Sequence, residues 1–208
     1  MKQKRKNGLI LGVSIFVIVA GIGGFMLWKF IPAHWSTDRM QIIFPIADIQ
    51  YIDKIQGWGA TPWNDFHNGI DFGSNQSVEL IAWCDIRISG LKTWFNDGGG
   101  HWQTNIAGNY NWKYRFDVAI ESWALNETYA NLQRAALTIK VGQIVEQGES
   151  LGMLLYHGSG THIHFGLKEN GKDVCPYQYM TPYAQSITDQ IWSMYGLGGA
   201  ICNSSYTP

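Results

Sequence analysis

The chain opens with a basic hexapeptide, "MKQKRK", and then runs uncharged from Gly8 to Trp28. At about 1.5 Å per residue, that run matches the roughly 30 Å hydrocarbon core of a bilayer. The pattern predicts a transmembrane helix over 8–28, a cytoplasmic basic tail over 1–7, and the remainder outside. A cleaved signal peptide is the alternative; its apolar region is usually shorter and ends in a small-residue site, and Ala20 to Gly24 is rich in small residues. Residues 29–40 read as a juxtamembrane linker. From Gln41 the rhythm changes to short β-branched and aromatic stretches bounded by Gly, Asn or Asp. Strands are expected at Val78–Ile88, Tyr114–Ala124, Ala136–Val141 and His162–Lys168. Asn170-Gly171 is a hairpin turn. Residues 96–111 read as a long glycine-rich loop, and Ser186–Tyr195 as a short C-terminal helix. The expected architecture is mainly β, antiparallel with long loops: one domain over 41–185 and a C-terminal extension over 186–208.

Composition agrees with that picture. Among 208 residues there are ten tryptophans and 24 glycines, more suited to a loop-rich β domain than to a helical bundle. All sixteen acidic residues follow Lys29, against ten basic ones, so this part carries a net charge of −6. No basic stripe appears, which argues against nucleic acid as a partner. Three cysteines are too few for a disulfide scaffold. Outside the cell a Cys175–Cys202 bridge tying down the tail is the plausible pairing, with Cys84 buried. Asn75, Asn126 and Asn203 each begin an N-x-Ser/Thr sequon, which matters where the host glycosylates.

Candidate chemistry lies in the histidines. In "YHGSGTHIHFGL" three of the six fall within eight residues. On a strand His162 and His164 project from one face, with Ile163 and Phe165 turned to the other. Two imidazoles so placed suit a divalent metal, although an isolated His-x-His is more often a pair of surface residues. Further upstream, "FHNGIDFG" sets His67 and Asp71 four residues apart, with Gly69 allowing an unusual backbone between them. Alone, that spacing is nearly uninformative.

Together the two segments, about 90 residues apart, resemble the LytM/lysostaphin-type zinc metallopeptidases, the M23 family. The likeness is collinear. "FPI…IQGWGATPW" resembles the family's domain entry, "VELIAWCDIRIS" its next strand, "KVGQIVEQGESLGML" its turn-and-strand segment, and "NGKDVCPYQYM" its closing hairpin. The resemblance covers roughly residues 43–180 and implies that His67, Asp71 and His164 bind Zn2+ while His162 is the neighbouring catalytic histidine. One departure matters: where the family has a second catalytic histidine in "Y-x-H-L", this chain reads "YANL", with Asn131 at that position. An amide can donate to an oxyanion but cannot act as a base at neutral pH. Asn131 supports slower hydrolysis, another residue compensates (His101 and His157 being candidates), or the domain binds without cutting. Gly166 also stands where the family often has Glu. The aromatics Trp94, Trp102, Tyr110, Trp112 and Tyr114 either wall a groove or cap the core. What the resemblance implies is a membrane-anchored zinc metalloendopeptidase acting on peptides of a cell-wall, peptidoglycan-like polymer. The alternative is a zinc-binding module that binds wall material or regulates a partner hydrolase. It would be a single-pass membrane protein, secreted if the N-terminal segment is cleaved.

Overall fold

The computed structural model describes residues 31–36, 38–61 and 65–203. The expected membrane span and basic tail lie outside the described residues. Among the described residues no helix is long and apolar enough to cross a membrane.

In chain order the strands are β1 (Ile52–Gln56), β2 (Trp58–Ala60), β3 (Phe66–His67), β4 (Gly69–Ser74), β5 (Val78–Ile81), β6 (Ile86–Asn96), β7 (His101–Asn109), β8 (Tyr114–Ala124), β9 (Ile144–Val145), β10 (Ser150–Leu154), β11 (His162–Glu169), β12 (Lys172–Val174) and β13 (Cys202–Asn203). Helix α1 spans Glu127–Ala135 and α2 spans Pro182–Tyr195. The main sheet has the order β1-β4-β11-β8-β7-β6-β9, with β12 also paired to β11. The pairings are antiparallel. The mainly β, antiparallel architecture is the one expected from the sequence.

One face of this sheet is the core. Ile70 and Phe72 of β4, Ile163, Phe165 and Leu167 of β11, and Phe116, Val118 and Ile120 of β8 are at most 1% exposed. Each such side chain contributes roughly 1.5–3 kcal/mol relative to an exposed one. Trp83 closes over this face, its ring edge-on to Phe116 at 5.1 Å and to Phe165 at 4.8 Å. Because strand side chains alternate, the residues between these core positions are driven to the opposite face. That face carries the site.

Several local expectations change. Val78–Ile88 is two strands, not one: the chain bends at residues 82–85, where Ala82, Trp83 and Cys84 are all buried. Residues 101–109 are strand rather than loop. Asn96 Oδ1 accepts from the amides of Gly98 and Gly99 at 3.1 and 3.2 Å, and Gly100 takes φ +66°, so a tight turn returns the chain into β7. Ala136–Val141 forms no strand; only Leu137 makes a bridge, to Gly152. At the β11–β12 hairpin Asn170 and Gly171 both have positive φ, 50° and 81°, as a type I′ turn requires. Helix α2 starts four residues earlier than expected, because Thr181 caps it by accepting from Ala184 N at 3.2 Å and Pro182 fits the first turn. Cys175 and Cys202 are bonded, and Cys84 is free and buried. Upstream of Gln41, His34 reaches Asp85 at 2.8 Å and donates its amide to Tyr110 O, so this stretch is laid along the domain.

Candidate metal centre

Strand register assembles the site. In the β4–β11–β8 ladder, His164 lies opposite Asp71 on one side and Ala119 on the other, while His162 lies opposite Gly73 and Glu121. His67, on the short strand before β4, reaches over the same face. His67 Nε2 and His164 Nδ1 lie 3.1 and 2.9 Å from Asp71 Oδ1, and 3.1 Å from each other. The three ligand atoms all fall within 4.8 Å of one another.

Glycine makes room for this convergence. Gly69 lies in β4 and is not among the residues of positive φ, so its role is not the unusual backbone expected from the sequence. A Cβ there would stand 2.6 Å from His164 Nε2 and 2.9 Å from Phe165 O. The ring of His164 therefore occupies the space a side chain at residue 69 would need.

The electrostatics centre on the Asp71 carboxylate. His67 Nδ1 donates to Gly57 O at 2.7 Å, which turns Nε2 toward Asp71 and His164. Burial would raise the Asp71 carboxyl, but hydrogen bonds from His164 and His67 outweigh it and hold the group well below the usual carboxylate range. Burial would lower His67, yet its hydrogen bond with Asp71, that carboxylate's charge and the Gly57 contact raise it. Two imidazole nitrogens and a carboxylate oxygen, each turned to one point, match the donor set of zinc in open sites. His67, Asp71 and His164 thus fit the group that the sequence implies.

His162 stands beside these three. Its Nδ1 donates to Gly160 O at 2.6 Å, and its Nε2 lies 3.9 Å from Asp71 Oδ2 and 3.4 Å from Glu121 Oε2. His101 joins the group through the same carboxylate, at 2.8 Å. Glu121 escaped the sequence reading. It alternates with Val118 and Ile120 on β8, a signal for the site face, but its neighbours depend on register. Asn131 is not brought to the cluster. Asn126 caps α1, accepting from Tyr129 N at 3.0 Å, and the helix buries Ala130 and Gln133. Asn131 falls on the exposed side of the helix, and none of the described contacts joins it to His162. His157 packs its ring on Tyr129 at 4.8 Å instead.

Two clefts flank the cluster. One, of about 290 Å³, is lined by Trp94, Gln103, Asn105, Asp117, Glu121 and His164. Its wall is hydrogen-bonded, with Asn96 donating to Gln103 and Gln103 and Trp94 both donating to Asn105 at 2.7–2.9 Å. The other, of about 350 Å³, includes Asp71, His162, Trp123, Tyr195 and Leu197. Of the aromatics singled out in the sequence, Trp94 borders a cleft beside the cluster, whereas Tyr114 is a core residue at 1% exposure.

No family model matches the sequence, and no curated protein matches it. Among solved structures the chain is similar to a zinc-containing peptidase from Vibrio cholerae, at 15% identity and TM-score 0.46, over 66% of this chain and 40% of that one. It is similar to lysostaphin at 19% identity and TM-score 0.47, over 83% and 62%. A third is the catalytic domain of a prophage-encoded M23 protein, EnpA, from Enterococcus faecalis, at 17% identity and TM-score 0.43, over 71% and 95%. The match thus spans less than two thirds of the length of the first two. The peptidase family that the sequence motifs resemble is also the one named among these structures. The roles of individual side chains rest on the geometry above.

Proposed function

We propose that this chain is a zinc metalloendopeptidase of the M23 type that hydrolyses peptide bonds in a cell-wall, peptidoglycan-like polymer, anchored in a membrane through residues 8–28. The observation that carries this reading is the meeting of His67 Nε2, Asp71 Oδ1 and His164 Nδ1, with His162 Nε2 facing Asp71's second oxygen at 3.9 Å. His67, Asp71 and His164 would hold zinc, which when bound would supply Lewis acidity toward a scissile carbonyl and toward water. His162, its Nδ1 committed to Gly160, has Nε2 as its working nitrogen, suited to accept a proton or to donate to a developing oxyanion. The clefts on either side leave space for an extended chain to cross the cluster, with amides on one side and Trp123 and Tyr195 on the other.

A second reading, a metal-holding module that binds wall material or a partner hydrolase without cutting, draws support from Asn131, which leaves the site without the family's second histidine. Hydrolysis separates the two. The zinc-loaded full chain in detergent should cleave wall preparations or members of a glycine- and D-alanine-containing peptide panel, and His162→Ala should not. Equal cleavage by wild type and His162→Ala would remove His162 from the chemistry. Zinc binding without any cleavage would favour the second reading.

A further inference from the structure

We propose that Glu121 and His101 are positioning residues for His162, a carboxylate backed by a buried histidine; the proposal rests on the peptidase reading above. Glu121 sits opposite His162 in the β8–β11 register and on the same sheet face. Its Oε2 is shared between His101 Nε2 at 2.8 Å and His162 Nε2 at 3.4 Å. One oxygen therefore links the working nitrogen of His162 to a second histidine on the neighbouring strand.

His101 is built in rather than incidental. It is 2% exposed, and it heads β7 directly after the glycine turn. Its Nδ1 faces Gly99 O at 3.0 Å, so both ring nitrogens have an acceptor. A side chain at Gly99 would collide with its ring. On the open face the ring lies against the Trp123 indole, centroids 4.3 Å apart and planes 31° from parallel. A polar ring taken this far from water is costly unless it finds a partner inside, and here Nε2 lies against the Glu121 carboxylate, 2.8 Å away. The consequence is a carboxylate locked in one orientation.

The same indole closes a circuit. Trp123 holds a left-handed φ of 55°, unusual for a bulky residue. Its indole fills the space over Gly160, where no side chain fits, and Gly160 O is the acceptor for His162 Nδ1. His162 is thus tied at Nδ1 to Gly160 O, with the Glu121 carboxylate 3.4 Å from Nε2, and both neighbours lean on Trp123 or on the ring it packs against. This arrangement fixes where Nε2 points, which is what a histidine beside a metal needs in order to act.

The test uses the full chain in detergent, zinc-loaded, with the same peptide panel. Glu121→Ala and His101→Ala should lower kcat by about 10- to 100-fold, the range typical of groups that orient a reacting residue. KM should stay within about twofold and zinc content should be unchanged. His101→Gln keeps an N–H donor for Glu121 and should recover most of the loss. In parallel, ¹⁵N spectra of histidine-labelled protein should show the His162 ring signals displaced in Glu121→Ala. That second reading needs no turnover. A wild type that never cleaves would overturn the peptidase assignment, and the His162 signals alone would then decide the positioning. Unchanged kcat with unmoved His162 signals would overturn the proposal. So would parallel loss of zinc in Glu121→Ala, which would make the carboxylate part of the metal site, or a loss in kcat matched by a fall in melting temperature that His101→Gln does not relieve.

Discussion

His67 and His164 are 97 residues apart in the chain, yet His67 Nε2 and His164 Nδ1 face each other at 3.1 Å with Asp71 between them. The pairing of β4 with β11 brings this about: Asp71 and His164 are direct antiparallel partners, and His67 needs only to fold back over the start of β4. Two imidazole nitrogens and a carboxylate oxygen within 4.8 Å of one another form a group that could hold a metal ion.

If Gly69 is the space into which His164 turns, then Gly69→Ala should disturb the metal more than the fold. The new Cβ would meet the ring at 2.6 Å and the Phe165 carbonyl at 2.9 Å, so the ring must move most and β11 slightly. Overpacking of this kind costs about 1–3 kcal/mol. The expected result is a zinc Kd raised at least about tenfold by competition titration, with a modest fall in melting temperature. Gly166→Ala is the contrast, because its Cβ would meet the backbone oxygen of Asp117 at 2.6 Å and should part β11 from β8, lowering stability first.

Asn131 lies on the exposed side of α1, so restoring the family's residue there should do nothing. Asn131→His and Asn131→Ala should each leave cleavage rates within about twofold of wild type, as surface changes of about ±0.5 kcal/mol do. A large gain in Asn131→His would show that α1 approaches the site during turnover.

The Cys175–Cys202 bond reaches the metal site indirectly. Cys202 in β13 pairs with Trp58 in β2, and the preceding Gly57 carbonyl fixes His67 Nδ1. At a sequence separation of 27, the bond is worth about 3.5 kcal/mol through the unfolded chain. Reduction should lower the melting temperature and weaken zinc binding together. Scanning fluorimetry and zinc titration with and without reductant check this.

At the far end of β11, Glu169 accepts from Tyr179 Oη at 2.9 Å and pairs with Lys113 at 2.7 Å. The bonds to Lys113 and Tyr179 hold the Glu169 carboxyl below its usual range. Burial, followed by the Glu169 hydrogen bond, pushes Tyr179 up to about 12 from 10.0. A carboxyl lowered in the fold contributes stability above its unfolded pKa, lost as pH falls through the folded value. A phenol raised in the fold contributes below pH 10.0, and that contribution is lost as pH rises toward about 12. Stability should therefore fall at both extremes. Tyr179→Phe should shrink both falls, the remaining alkaline one coming from groups such as Tyr110 and Tyr177 that burial also raises, and cost about 1 kcal/mol at neutral pH, measured by urea unfolding across pH.

What the sequence made legible follows its local rules. β-Branched and aromatic stretches located β8 and β11, and Asn170-Gly171 located the hairpin from β11 to β12, because those signals are set by neighbours along the chain. His67, Asp71, His162 and His164 were legible as well, since two short motifs carry them. Glu121 and His101 were not tied together, because their meeting depends on how β7, β8 and β11 register, which no single strand encodes. Strand β7 was hidden by the glycine-rich run that turns into it. Helix α1 was hidden in a segment whose likeness to a family motif drew attention to Asn131 rather than to the Asn126 cap that starts the helix.

Metal content tests the proposed zinc site of His67, Asp71 and His164 most directly. The full chain, loaded with zinc and dialysed, should retain one equivalent by elemental analysis, while His164→Ala and Asp71→Ala, folded by circular dichroism, should retain almost none. A wild type without zinc, or a His164→Ala variant holding as much as wild type, would contradict it.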